Sequence, residues 1–172
     1  IGLGIAYFSL LCRTHNPLPF DNIRILGVMQ RLALSYGVTA IVALVMNHKR
    51  IPYLIFVLLA GYFGILFFGN GYEYNETNIL SVVDRAILGT NHMYKDNGID
   101  PEGLLSTLPA IAHVLIGFCC GKLLMEVKDI HEKIERLFII GTVLTFAGFL
   151  LSYGCPINKK IWSPTFVLTT CG

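Results

Sequence analysis

Charged residues are scarce in this sequence. Asp, Glu, Lys and Arg make up 14% of the 172 residues, whereas an ordinary soluble domain has about 25%. Hydrophobic residues make up 54%, and the mean hydropathy is +0.63. The net charge of +2 is too small to indicate a nucleic-acid partner. The composition therefore excludes a typical soluble domain and predicts a protein that lies mostly in lipid.

The sequence also lacks the short motifs of several enzyme and metal-site classes. It contains no GxSxG, no Walker A loop and no HExxH. Its five cysteines do not have the spacing of a metal-binding motif. We therefore expect no bound metal, and short motifs alone do not identify an enzyme.

Long apolar stretches are present instead, separated by polar segments. Residues 51–69 contain no charge, and a helix needs roughly 20 such residues to cross a bilayer. We predict an all-α, polytopic transmembrane helix bundle, which is a single domain from the middle of a longer protein. The predicted spans are residues 1–12 (truncated), 25–46, 51–69, 104–125, 137–154 and the start of another at 161–172.

The polar segments alternate between the two sides of the membrane. Basic residues are dense in segments 47–50 and 126–136. Because such residues concentrate in cytoplasmic loops, we predict that these two segments face the cytoplasm. The long polar segment 70–103 is then predicted to be an outer loop. A bacterial protein of this kind would lie in the inner, or plasma, membrane.

Two arginines lie at the start of the second predicted span. Arg24 and Arg31 are seven residues apart, so a helix places them on one face, with Arg31 roughly 10 Å deeper. An arginine inside a span costs at least about 2.5–3.5 kcal/mol and usually faces a polar cavity or a partner. Three interpretations stand: snorkelling to the interface, pairing with Asp21 or Asp100, and binding of a phosphate or carboxylate.

Several other polar residues lie at the ends of predicted spans. Asp100 and Glu102 directly precede the fourth span, where they either complement the positive end of a helix or hold a sugar or an amine. His113, inside that span, is either a histidine bonded to a neighbouring helix or a proton-transfer group. His92, in the outer loop, is as consistent with a loop residue as with a ligand.

The outer turn at 156–164 contains Lys159, Lys160 and Trp162. Two lysines and a tryptophan at a helix end are typical of anchoring at the membrane interface. The same lysines would also suit an anionic group. Both interpretations remain open from the sequence.

Three segments together resemble one family of membrane enzymes. They are residues 24–36 (RILGVMQRLALSY), 100–107 (DPEGLLST) and 156–163 (PINKKIWS). Their order and spacing resemble those of heparan-alpha-glucosaminide N-acetyltransferase and its bacterial relatives, the NagX and YeiB-like membrane proteins. The resemblance covers nearly the whole chain.

The resemblance implies an acyltransferase that moves an acetyl group from acetyl-CoA to the amine of a glucosamine-type sugar across the membrane. The alternative is an amino-sugar transporter, which the NagX label suggests. The family's proposed catalytic histidine lies upstream of the matched region, so the catalytic residue is unknown here and this piece alone is expected to be inactive. The expected partners are the lipid bilayer and a sugar acceptor, and a homo-oligomer is left open.

The matched segments supply the candidate binding residues for such a reaction. Coenzyme A carries phosphates, which arginine and lysine recognise well. The candidates for the phosphates are Arg24, Arg31, Lys159 and Lys160. The candidates for the amine are Asp100 and Glu102. The other binding candidates in these segments are Gln30, Asn158 and Trp162, and the weaker candidates outside them are His92 and His113.

Overall fold

A computed structural model of the chain describes residues 25–73, 75, 77–89, 92 and 100–172. The predicted span at 1–12 and Arg24 lie outside these residues. Within the described part, the chain forms six α-helices and no strand. The predicted all-α membrane bundle is therefore confirmed.

Four of the six helices are long and apolar enough to cross a membrane. In chain order the helices are α1 (Val28–Val45), α2 (Ile51–Phe68), α3 (Ile79–Leu88), α4 (Thr107–Glu126), α5 (Ile130–Leu151) and α6 (Pro164–Cys171). The four long ones are α1, α2, α4 and α5. Their length and composition support an integral membrane protein.

Side-chain caps determine where the last two helices begin. Asp129 accepts a hydrogen bond from the Glu132 N–H at the start of α5, and Ser163 accepts one from the Phe166 N–H at the start of α6. Each cap satisfies a backbone donor that the first helical turn leaves without a partner. Because Ser163 caps α6, Trp162 lies in the turn directly before this helix.

Helix α4 lies at the centre of the bundle. It packs against α1, α2 and α6, and α5 packs mainly against α6. Ala112 of α4 has no exposed surface and belongs to a core cluster with Leu59 of α2 and Val167 of α6. Small side chains such as Ala110 and Ala112 allow neighbouring helices to approach closely, as is usual for packing in lipid.

The outer faces of the helices are apolar. Large exposed side chains include Leu44, Phe68, Phe138 and Phe146. In water, a surface of this kind would be an aggregation or docking site. Facing lipid, it is the ordinary surface of a spanning helix, which agrees with the scarcity of charge in the sequence.

One end of the bundle collects the polar side chains. Because the spans alternate in direction, the starts of α1, α4 and α6 lie at the same end as the end of α2. Helix α3 lies there too, since the Ile79 N–H donates to the carbonyl of Gly69, directly after α2. The turns at 46–50 and 127–129 lie at the opposite end.

The prediction of a loop over residues 70–103 is incomplete, because α3 lies within it. Asn78 caps this helix by accepting a hydrogen bond from the Leu80 N–H at 2.9 Å. The buried face of α3 carries Leu80, Ser81 and Asp84. The apolar residues Ile79, Val82, Val83 and Ile87 recur at the spacing of a helix, but a helix of 10 residues is too short to cross a membrane.

The other bounds differ from the predicted ones by small shifts, except at the charged connector 126–136. Most of this connector is helical, because Asp129 caps α5 and Arg136 pairs with Glu132 one turn earlier, at 2.6 Å. Helix α5 therefore begins before the span predicted at 137–154, and it also ends earlier, at Leu151.

Candidate functional site

Arg31 is a buried cation on the first turns of α1, with 6% of its surface exposed. Its Nη1 donates a hydrogen bond to the carbonyl of Pro101 at 2.7 Å. Its guanidinium carbon lies 3.8 Å from the centroid of the Trp162 ring. The hydrogen bond and the cation–π contact offset part of the cost of burying the charge. One side chain thus joins α1 to two segments that are distant in sequence.

Trp162 lies close to both Arg31 and His113. Its φ of +51° is in the left-handed region, which is uncommon for a bulky residue and often marks a functional site. Its ring centroid is 6.1 Å from that of His113. Trp162 Nε1 and His113 Nδ1 are buried and have no hydrogen-bond partner among the described residues. Such atoms are rare in proteins and indicate a place for water, an ion or a ligand.

Tyr62 connects α2 to the turn that carries Trp162. Its hydroxyl donates to the carbonyl of Ile161 at 2.5 Å, and only 1% of its surface is exposed. The positive charge of Arg31 and the negative charge of Asp84, on α3, both act on the Tyr62 hydroxyl. Tyr62 is therefore close enough to the cation and to the buried acid for both charges to act on it.

Asp100 and Glu102 belong to a compact segment just before α4. Asp100 is 1% exposed and accepts a hydrogen bond from the Glu102 N–H at 3.1 Å. The negative charges of both residues act on Arg31. The helix-start interpretation does not fit, because α4 begins only at Thr107 and has no acid in its first turn. The two acids are therefore close enough to Arg31 for their charges to act on it.

Asp84 is a buried acid that the sequence interpretation missed. It has no exposed surface, its Oδ1 accepts the Leu104 N–H at 2.8 Å, and its Oδ2 is buried without a partner in the part of the chain that the structure describes. Burial, with a smaller contribution from Asp100, raises the pKa of Asp84 to about 6, although the Leu104 N–H acts in the opposite direction. An aspartate on the otherwise buried face of a short helix was the available signal, and it is visible only once α3 is recognised.

Tyr72 and Cys155 contact each other at the polar end of the bundle, next to the outer turn. The Tyr72 hydroxyl and the Cys155 Sγ are 2.6 Å apart, and Cys155 is 4% exposed. Burial raises the pKa of Tyr72, and the hydrogen bond with Cys155 adds to this. Cys119, Cys120, Cys155 and Cys171 are free thiols.

The structure leaves several predicted site residues at the edge of this region. Lys159 and Lys160 are exposed, whereas Asn158 is half-buried and its side chain accepts the Lys160 N–H at 2.9 Å. Gln30 is half-buried beside Gly27. The carbonyl of His92 accepts the Ile25 N–H at 3.3 Å, next to the start of α1.

We call the buried and half-buried groups at this end the polar cluster: Arg31, Tyr62, Asp84, Asp100, Glu102, His113 and Trp162. It combines a guanidinium, three carboxyl groups, a phenol, an imidazole and an indole, and two of its ring nitrogens have no hydrogen-bond partner among the described residues. Its acids can hold an ammonium group, its cation and N–H donors can hold a negative charge, and His113 or Asp84 can exchange a proton. Among the residues that the structure describes, no group of three or more His, Cys, Asp or Glu is placed to hold a metal ion.

The comparisons with known proteins give two distant relatives. No protein-family model matches the chain. The chain is 27% identical, over 89% of its length, to heparan-alpha-glucosaminide N-acetyltransferase of Mus musculus, and 26% identical, over the same share, to the Homo sapiens protein of that name. Each match covers 32% of the relative, so the chain spans about a third of the length of the proteins it matches. The suspected resemblance of the chain to this family is thereby confirmed as a distant one.

Proposed function

We propose, proceeding from this distant relationship, that the chain is the central part of a membrane-embedded N-acetyltransferase. The observation that supports the proposal most is the burial of Arg31 among Asp100, Glu102 and Trp162 at one end of an apolar bundle. Charged groups inside a membrane bundle are expensive and are typical of substrate or proton pathways. The alternative of an amino-sugar transporter has no support in the comparisons.

The proposed reaction transfers an acetyl group from acetyl-CoA to the amine of a glucosamine-type sugar. A thioester is already activated, so the protein must deprotonate the sugar ammonium and stabilise the oxyanion of the tetrahedral intermediate. Asp100 and Glu102 are the proposed holders of the ammonium. Arg31 and the free Nε1–H of Trp162 are the proposed donors to the oxyanion, and His113 is the proposed proton-transfer group.

We further propose that segments 47–50 and 126–136 face the cytoplasm, which places the polar cluster at the outer end of the bundle. The acceptor sugar would then reach the cluster from the outer side. On this orientation the exposed Lys159 and Lys160 suit an anionic group on the acceptor better than the phosphates of a cytoplasmic coenzyme. Acetyl-CoA would insert its thioester from the opposite side, which agrees with transfer across the membrane.

The test uses the full-length protein in membrane vesicles, with radiolabelled acetyl-CoA and glucosamine. The expected product is labelled N-acetylglucosamine, and Arg31→Ala is expected to lower its rate of formation by at least about 10²-fold, as for loss of an oxyanion donor. Lys122→Ala is the matched control, because Lys122 is also a cation on a spanning helix but pairs with Glu126 at the opposite end.

Two outcomes would contradict the proposal. The first is uptake of unmodified sugar without any acetylated product, which would favour the transporter. The second is an unchanged transfer rate in Arg31→Ala and in Asp100→Asn, which would remove the polar cluster from the reaction even if the protein were a transferase.

A further inference from the structure

Asp84 is a buried carboxyl group that the proposed reaction does not require. Its Oδ2 has no hydrogen-bond partner, and the hydroxyl of Ser81, on the same buried face of α3, also lacks one within the described residues. A buried, unpaired charge is costly, so such a carboxyl group favours its neutral form. Its charge can therefore change at a milder pH than that of an ordinary aspartate.

The neighbours of Asp84 come from three elements. Asp100, in the segment before α4, acts on it with a negative charge, and the Leu104 N–H donates to it. Tyr62 faces it from α2. Arg85 follows it on α3 itself. Burial is the largest influence, and the resulting pKa of Asp84 is about 6.

Residues 101–106 form a short segment that connects Asp84 to Arg31. The carbonyl of Pro101 accepts hydrogen bonds from Arg31 Nη1 at 2.7 Å and from the Ser106 hydroxyl at 3.0 Å. Three residues after Pro101, the Leu104 N–H donates to Asp84. Gly103 lies so close to the carboxylate that a methyl group on its Cα would overlap a carboxylate oxygen. A change in the charge or position of the Asp84 carboxylate therefore acts directly on the segment that binds Arg31.

We propose that Asp84 is a positioning residue whose protonation state sets the position of residues 101–106 and, through Pro101, that of Arg31. An ionised carboxylate accepts a stronger and shorter hydrogen bond from an N–H than a neutral carboxyl group does. Ionised Asp84 therefore holds Leu104 tightly, and protonated Asp84 releases it. The consequence for acetyl transfer rests on the proposed function, whereas the movement of the segment does not.

Trp162 provides a readout that does not depend on activity. It is the one tryptophan of the chain, and the Arg31 guanidinium lies over its ring. The measurement is tryptophan fluorescence of the detergent-solubilised full-length protein. The Trp162 signal is the difference in emission between the wild type and Trp162→Phe. We expect this signal to change with a midpoint near pH 6 as Asp84 titrates. The transition should be absent in Asp84→Asn, measured against the double variant Asp84→Asn/Trp162→Phe.

Three further variants make the assignment specific. His113 lies beside Trp162 and is itself titratable, so His113→Gln must keep the midpoint. Ser81→Ala, which removes the neighbouring uncharged group, must also keep it. Asp100→Asn removes a charge that raises the pKa of Asp84, so the midpoint should move to lower pH.

A transition that survives in Asp84→Asn, or that disappears in His113→Gln, would overturn the proposal. If Asp84→Asn does not yield a monodisperse protein, the Asp100→Asn midpoint decides: a downward shift supports the role of Asp84, and an unchanged midpoint refutes it. Loss of the acetyltransferase proposal would leave the fluorescence result standing, so the two failures are distinguishable.

Discussion

The guanidinium of Arg31 stacks on the ring of Trp162, with 3.8 Å between the guanidinium carbon and the ring centroid. Arg31 belongs to the first of the three family-like segments and Trp162 to the third, and Arg31 also binds Pro101 of the second. Three segments that are far apart in sequence therefore meet at one side chain. Their joint occurrence has a physical reason, because each supplies one wall of the same buried cluster.

The stacked ring is expected to stabilise the buried cation. Trp162→Phe keeps an aromatic face for Arg31, whereas Trp162→Leu removes it. Because a desolvated cation–π contact is worth about 2 kcal/mol, we expect the Leu variant to unfold at the lower temperature, with a deficit of about 1–2 kcal/mol against the Phe variant. Thermal unfolding in detergent measures the difference. Equal Tm values for the two variants would assign no stabilising role to the stacking.

Arg31→Met removes the cation and leaves the acids beside it. Because removal of one partner of a buried charge pair typically costs about 3–5 kcal/mol, and the negative charges of Asp100 and Glu102 remain, we expect this variant to be clearly less stable than the wild type. Its acetyl-transfer rate per folded molecule should also fall by at least about 10²-fold, because the oxyanion donor is lost. A variant that loses activity only in proportion to the folded fraction would indicate a structural arginine instead.

Gly103 is a position where a side chain has no room. Gly103→Ala places a methyl group against the Asp84 carboxylate and should cost about 1–3 kcal/mol of unfolding free energy, as overpacking does. The matched control is Gly61→Ala in α2, where the added methyl meets no atom within 4 Å. That control should leave Tm unchanged or raise it slightly, since alanine favours helix over glycine. Equal effects at both positions would contradict the close contact.

The raised pKa of Asp84 makes a prediction for stability against pH. Because folding shifts this pKa upward, from an ordinary 3.8 to about 6, the ionised form costs stability at neutral pH. This cost begins to shrink as the pH falls below about 6, and it is gone once the pH is below the unfolded value of 3.8. Asp84→Asn should therefore be more stable than the wild type at neutral pH by about 2 kcal/mol. The advantage should shrink in acid. Unfolding curves of both proteins across this range measure it, and a constant difference would exclude the titration of Asp84.

The proposed orientation can be tested by thiol labelling of intact cells. Lys49→Cys lies at the end of the bundle opposite the polar cluster, and Lys159→Cys lies in the exposed turn beside it. A membrane-impermeant maleimide should label Lys159→Cys above the wild-type background and should label Lys49→Cys only after the cells are opened. The reverse pattern would place the cluster on the cytoplasmic side.

The spanning helices were predictable because an uninterrupted apolar run of this length is stable as a helix in a bilayer and is not stable in contact with water. The spans that become α1, α2 and α4 were predicted close to their observed bounds. The short helix α3 was not predicted, although its apolar residues Ile79, Val82, Val83 and Ile87 recur at helical spacing. A short amphipathic helix lacks the long apolar run that marks a spanning helix, so the segment was interpreted as part of a loop.

The candidate site was predictable only in part, and for a similar reason. Arg31 was recognised because a charge inside a span is costly, and Asp100 and Trp162 because they belong to the family-like segments; the fold brings these three together. Lys159 and Lys160 stood out equally, yet both are exposed. Which of these residues points inward depends on how α4, α2 and α6 pack, and that packing is not encoded in any single segment.

The contact between the Tyr72 hydroxyl and the thiol of Cys155 makes the reactivity of this thiol a measure of how often the outer turn opens. As long as the outer turn stays closed, the hydroxyl and the surrounding protein shield the sulfur from reagents. An opening of that turn would expose the sulfur, so the rate at which an alkylating agent modifies Cys155 would report how often the turn opens. The opening rate of the polar end can thus be measured at a native cysteine, without introducing a probe residue.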